Sequence, residues 1–249
     1  MKRILVTNDD GIGAEGIALL AEAVSGLGKV TVVAPDREMS AISKALSLRK
    51  PLRIEQIRDG WYSLSGTPTD CVYVGVVRLL EGEVDLVVSG INRGANLGED
   101  IHYSGTVAGA SEGRILGIPA IAYSQIRGGD GVRPESLEFV TRLTEAVLER
   151  GPGSNALLNV NFPPGRARGV RLTRLGVRHY EEAVAEEADA DGNLIYLIGG
   201  NEVHSEQDPD TDVQAAHDGF VSVTPLQLDL TDRSELRELA DWKLFRENR

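Results

Sequence analysis

The stretch Arg3 to Gly16, RILVTNDDGIGAEG, decides the fold. Ile4, Leu5, Val6 and Thr7 make a continuous aliphatic and β-branched run, which suits a strand buried on both faces. Asn8, Asp9 and Asp10 then stand at the carboxyl end of that strand, where open α/β sheets place their ligands. Adjacent carboxylates repel, and each disfavours ionisation of the other. Either a solvated turn, for which Asp-Asp-Gly is well suited, or a bound cation relieves that repulsion. The stretch alone leaves both readings open.

Working outward, the pattern repeats. Glu15 to Leu27 has apolar positions at helical spacing and stops at Gly26 and Gly28. Val30 to Ala34 is a second buried strand, followed by the small-residue loop DREMSAISKALSL, whose length suggests function or mobility. Leu46 to Ile57 and Trp61 to Leu64 read as extended segments off the main sheet. In GTPTDC, Thr67 is an N-cap, Pro68 the first helical residue and Asp70 the third, close to a capping box. The helix Thr69 to Leu80 would bury Cys71 as a small apolar residue. Val84 to Val88 is a further strand. It feeds SGINRGANLGEDIHYSGTVAGASEGR, a polar glycine-rich loop that ends where Ser104, Gly105 and Thr106 open the helix Thr106 to Leu116. The start of that helix is either an ordinary cap or a place where N–H groups face an anion.

Strand Ile118 to Tyr123, helix Pro134 to Arg150 and strand Ala156 to Val160 complete a strand–helix alternation that predicts a doubly wound, mostly parallel, Rossmann-like sheet over about residues 1–164. From about residue 165 the pattern changes within the same single domain. Val170 to Arg174, Val177 to Glu182 and Asn193 to Ile198 read as short strands or hairpin arms, the acidic run EEAVAEEADADG as a solvated loop, Thr211 as an N-cap, Phe220 to Thr224 as a strand and Asp232 to Phe245 as a helix. A β-hairpin and helix extension of this kind has little core of its own, which predicts an oligomer.

Composition narrows the function. With 249 residues, 41% of them hydrophobic, the chain can build a sizeable core, and a net charge of −12 argues against polymeric nucleic acid as partner. A single cysteine excludes an intrachain disulfide or a cysteine zinc cluster. No signal peptide or membrane-spanning run is read from the sequence, so no membrane partner and a cytoplasmic location are expected.

TNDDG, APDREMSAIS, GTPTDC, VSGINRGANLG, YSGTVAGASEGR, NVNFP and GFVSVTPL occur in the order and spacing of the SurE family, the stationary-phase survival protein E nucleotidases, and the resemblance extends over nearly the whole chain. It implies a 5′-nucleotidase, a metal-dependent phosphatase of nucleoside monophosphates, in a homodimer that exchanges C-terminal segments or in a homotetramer. Carried over, the ligands of one divalent metal ion per subunit would be Asp9, Asp10, Ser40 and Asn92; Asp9 and Asp10 are also the expected catalytic residues, and which of them doubles as general base stays open. His102 is given no role.

The chemistry of these residues agrees. Two carboxylates, a hydroxyl and an amide form an all-oxygen set suited to Mg²⁺ or Mn²⁺. Such an ion has open positions for a phosphate oxygen and a water, whose pKa it lowers. Asn8, Asn96, Ser104, Gly105 and Thr106 would bind the remaining phosphate oxygens by backbone and side-chain donors. Three other classes compete with this reading: a nucleotide-binding regulatory protein without turnover, a phosphorelay receiver and an aspartyl-phosphate enzyme. A receiver is disfavoured because Ser89 and Asn92 stand where its phosphoacceptor aspartate would be.

Overall fold

Successive side chains of the first strand point to opposite layers, and both layers are closed. In β1 (Arg3–Thr7), Ile4 and Val6 pack toward α1 (Glu15–Val24), while Leu5 packs into a second cluster on the other side of the sheet. All three are fully buried. This computed structural model describes residues 1–129, 131–151, 154–180, 183–200, 202–205, 208–242 and 244.

The chain continues through β2 (Lys29–Pro35), β3 (Ile54–Arg58), β4 (Trp61–Leu64), α2 (Pro68–Val74) and β5 (Leu86–Arg93). It then runs through α3 (Gly105–Ile115), β6 (Ala120–Gln125), α4 (Pro134–Glu149) and β7 (Leu157–Phe162). The region after residue 165 holds β8 (Val170–Leu172), β9 (Arg178–Tyr180), β10 (Ala183–Ala188), β11 (Leu194–Gly199), β12 (Glu202–Ser205), α5 (Asp212–His217), β13 (Val221–Pro225) and α6 (Arg233–Leu239).

The main sheet has the order β3-β4-β2-β1-β5-β6-β7-β13-β8. Pairing is parallel from β4 through to β7, and antiparallel between β3 and β4 and between β7 and β13. The doubly wound reading of the sequence therefore holds. Val32 and Ala34, Leu86 and Val88, and Ile121 and Tyr123 join the cluster containing α1 and α4, whereas Val33, Val87, Ala120 and Ala122 join the one containing α2 and α3. The alternation of strand side chains thus makes the middle layer of a helix–sheet–helix sandwich.

The α2 terminus forms as its sequence predicts. Thr67 Oγ1 accepts from Asp70 N and the Asp70 carboxylate accepts from Thr67 N, a complete capping box. Beyond Val74 the helix widens into a π-helical turn, Gly75–Leu79. Gly75 fits there because a Cβ would stand 3.1 Å from the methyls of Leu5. Cys71 is buried, and burial pushes its thiol pKa well up, so it is an inert core residue.

Four expectations change. β3 and β4 are not off the sheet; they extend its edge, because the β4 backbone pairs with β2 over Trp61 to Leu64. The strand expected over Val84 to Val88 runs on to Arg93, with an irregular register against β6 between Ser89 and Asn92. Half of the acidic run is not a loop: Ala183–Ala188 pairs antiparallel with Leu194–Gly199, since charged side chains are tolerated on a strand open to solvent. The terminal helix ends at Leu239. Its expected end at Phe245, and the strand end expected at Glu181 and Glu182, lie outside the described residues.

β13 inserts beside β7, so the extension completes the same sheet as the first 164 residues. Asp212, fully buried at the start of α5, ties the extension to the loop after β5: its carboxylate accepts from Gly98 N at 3.0 Å, Gly176 N at 2.8 Å and Val213 N at 2.9 Å. Among the described residues no helix is long and apolar enough to cross a membrane.

Candidate active site

The chain leaves β1 toward β2 on one side and returns to β5 on the other, so the sheet's topological switch point lies between β1 and β5. Loops diverge there and leave a crevice. A cavity of about 480 Å³ is lined by Asp9 and Asp10 from the end of β1, Ser40 from the loop after β2, Asn92 from β5, and Asn96 and Ser104 from the loop that follows. The four oxygen donors proposed for a metal thus share one cavity, although their sequence positions span more than eighty residues.

Asp9 is almost wholly buried. Its Oδ1 accepts from Thr106 Oγ1 at 2.6 Å, and the Thr106 backbone N–H at the start of α3 favours its ionised form. That approach requires a glycine before Thr106, since a Cβ on Gly105 would lie 2.7 Å from Asp9 Cβ. Burial pushes the Asp9 pKa up to about 6; the Thr106 hydroxyl opposes the shift and the neighbouring Asp10 charge adds to it. Asp10 is also raised, first by burial and then by Glu38, against the N–H of Arg93 and the charges of Arg127 and Arg93. Two carboxylates whose ionised forms are this disfavoured are suited to a cation that restores them.

The other donors are oriented by their own contacts. Asn92 stands just past the irregular register between β5 and β6, a device that re-aims side chains at sheet ends. Its Nδ2 donates to Gly94 O at 3.1 Å, and among the described residues no hydrogen bond engages its Oδ1. The first turn of α1 closes tightly behind this segment, for a Cβ on Gly16 would fall 2.0 Å from Ile91 O. Ser40 Oγ donates to Glu38 Oε1 at 2.5 Å, which leaves the oxygen's lone pairs as donors to an ion. Among the described residues no three or more His, Cys, Asp or Glu converge as a metal cluster. The set present, two carboxylates with a hydroxyl and an amide oxygen, is the mixed hard-oxygen chemistry that fits Mg²⁺ or Mn²⁺.

The five residues expected to bind phosphate divide. Asn96 and Ser104 line the cavity, and Asn8, Gly105 and Thr106 do not. Asn8 is fully buried, with Nδ2 donating to Gly11 O at 3.0 Å, so its side chain shapes the turn carrying the acids. Thr106 spends its hydroxyl on Asp9, and Ser104 Oγ caps α3 by accepting from Val107 N at 3.1 Å.

Asn96 is held by a buried amide network that the sequence reading passed over. Asn161 Oδ1 accepts from Asn96 N at 2.8 Å while Asn161 Nδ2 donates to Asn96 O at 2.9 Å. Asn159 Nδ2 donates to the same carbonyl at 2.7 Å, and Asn96 Nδ2 donates to Ser124 Oγ at 2.8 Å. Two asparagines interrupting the apolar run of a buried strand, LLNVNF, are the signal that could have revealed it. Arg93, Arg127 and Glu38 were also missed: both arginines line the cavity, and Arg127 Nε donates to Arg93 O at 3.0 Å.

Comparison with known proteins adds to this geometry. The family model described as "Survival protein SurE" matches residues 4–182. The "5′-nucleotidase SurE" of Syntrophotalea carbinolica is 49% identical over 97% of each chain, and that of Myxococcus xanthus is 47% identical over 100% of this chain and 96% of its own. The crystal structure of the SurE protein from Aquifex aeolicus superposes with a TM-score of 0.82 at 43% identity, covering 96% of this chain and 98% of its own.

Proposed function

The chain belongs to the SurE family, and on that premise we propose that it is a metal-dependent 5′-nucleotidase, hydrolysing nucleoside 5′-monophosphates to nucleoside and phosphate. Activity on 3′-monophosphates and polyphosphate is part of the proposal. The observation that carries it is the convergence of Asp9, Asp10, Ser40 and Asn92 on one cavity at the switch point of the sheet.

In this reading those four residues hold one Mg²⁺ or Mn²⁺ ion. When bound, the ion supplies charge neutralisation for the phosphoryl oxygens and a water made acidic enough to attack phosphorus. Asp9 is kept in position by Thr106 and by the amino terminus of α3, whose N–H groups favour its ionised form. Asn96, fixed by Asn159 and Asn161, and Ser104 orient the phosphate, and the cations of Arg93 and Arg127 offset the charge that builds on its oxygens. Half-exposed or more exposed Val184, Tyr196 and Ile198 on the β10–β11 hairpin support a homo-oligomer, a dimer exchanging C-terminal segments or a tetramer. A cytoplasmic location completes the proposal.

The test is phosphate release from nucleoside 5′- and 3′-monophosphates with Mg²⁺, Mn²⁺ or a chelator, for the native chain and Asp9→Asn. Chelation and the substitution are each expected to abolish release. Turnover indifferent to both would refute the metal chemistry.

A further inference from the structure

The cavity is larger than phosphate and one ion require. At ~30 Å³ per water, its volume of about 480 Å³ corresponds to roughly sixteen waters, room for a nucleoside as well. The rest of its wall is unlike the acidic part. It carries Asp100 and Tyr103 from the loop after β5, and Arg178 and Tyr180 from β9 in the extension.

These four side chains form a fixed arrangement. Asp100 Oδ2 accepts from Tyr180 Oη at 2.6 Å and pairs with the guanidinium of Arg178, which lies 5.1 Å from the centre of the Tyr180 ring. The Arg178 side chain is only 14% exposed, so this ion pair is largely withdrawn from water. Tyr180 has its hydroxyl committed and as a residue is still 42% exposed, so it has surface to offer. Tyr103 is anchored through its backbone, its N–H donating to Asp100 O and its carbonyl accepting from Ser43 N, both at 3.0 Å, yet its side chain is 67% exposed. Pinned but uncovered aromatic rings suit stacking with a planar heteroaromatic group, which is tolerant of base identity. A second phosphate is the poorer occupant of this wall, because the cation there is already neutralised by Asp100.

We propose that Tyr103 and Tyr180, held in place through Asp100 and Arg178, form the subsite for the nucleobase of a nucleoside monophosphate, and that this subsite sets a preference for base-bearing over base-free phosphomonoesters. The proposal rests on the phosphatase reading for the position of the phosphate. It also gives the extension a part in substrate selection.

The experiment compares adenosine 5′-monophosphate with ribose 5-phosphate in Mn²⁺, measuring kcat and KM, and measures binding of each by equilibrium dialysis. The native protein is expected to favour the adenosine compound, and Tyr103→Ala and Tyr180→Ala to lower that preference about five- to hundredfold, through KM more than kcat. Tyr180→Phe, which keeps the ring but loses its anchor to Asp100, is expected to retain part of it, and Asp100→Ala, which removes that anchor together with the carboxylate that pairs with Arg178, to lose as much or more. Equal efficiency on both compounds, or an unchanged preference in both alanine variants, would overturn the subsite while leaving the phosphatase reading intact. Selective binding that Tyr180→Ala destroys, without phosphate release from either compound, would uphold the subsite and overturn the phosphatase reading.

Discussion

β1 and β11 are both rich in aliphatic side chains, RILVT against LIYLIG, and they meet opposite surroundings. Ile4, Leu5 and Val6 are fully buried, whereas Leu194, Tyr196 and Ile198 are 56%, 60% and 92% exposed. β1 lies between two parallel neighbours with helices over both faces, while β11 pairs with β10 in a two-stranded sheet. Apolar composition marks what is to be covered; topology decides whether the same chain or another copy covers it. The acidic site belongs to the first kind of region, and two residues of its cavity wall, Arg178 and Tyr180, are drawn from a small two-stranded sheet of the second kind.

The comparison can be broken most forcefully at the β1 end. Asp9→Asn is expected to lower phosphate release about a thousandfold or more, while the metal-free melting temperature at neutral pH stays level or rises because the cost of a buried charge is removed; an active variant would detach the chemistry from this strand. One residue type tested in the two settings comes next. Leu5→Ala is expected to destabilise by about 2–5 kcal/mol, read by denaturant unfolding, and Leu194→Ala by less than about 0.5 kcal/mol at concentrations where the chain is monomeric. Leu194→Ala should weaken self-association in sedimentation, and equal costs at the two sites would erase the distinction.

Protonation provides a third measurement. The folded pKa of Asp9, about 6, lies above its ordinary 3.8. In the metal-free protein its contribution is therefore fully present below the unfolded value, and on the order of 3 kcal/mol is lost as pH rises through the folded one. An ion needs the carboxylate ionised, so Mn²⁺ should raise the melting temperature above about pH 6 and lose that effect progressively below it. A metal-induced shift independent of pH would contradict this environment for Asp9. Smaller again is Asn161→Ala, expected to cost about 1–3 kcal/mol in transition-state stabilisation by releasing Asn96, and to raise the inhibition constant for inorganic phosphate. Unchanged phosphate inhibition would limit Asn161 to packing.

The parallel core was legible in the sequence because strands such as VTVVA and VDLVV are covered on both faces and read as unbroken apolar runs. Thr67, Ser104 and Thr211 were legible as N-caps for a local reason: each accepts from a backbone N–H three residues on. The pair Asp9 and Asp10 was visible as an electrostatic anomaly. What escaped was set by distance along the chain. Nothing near Tyr180 announces Asp100, eighty residues earlier, and nothing near Asn161 announces the Asn96 backbone. β3 was read as lying off the sheet because all five of its residues are exposed, so it lacks the buried-face alternation that identifies a strand. Asn8 was read as a phosphate ligand beside two acids, and the part its side chain plays in bracing their turn is seen only in the structure.

β13 comes from residues 221–225, yet it seals the outer side of β7, formed sixty residues earlier. During synthesis the central sheet therefore waits with Asn159, Val160 and Asn161 on an open margin until nearly the whole polypeptide has emerged. A chain interrupted before Val221 would keep that margin available to any passing strand, so premature termination is expected to yield insoluble material, not a shortened enzyme.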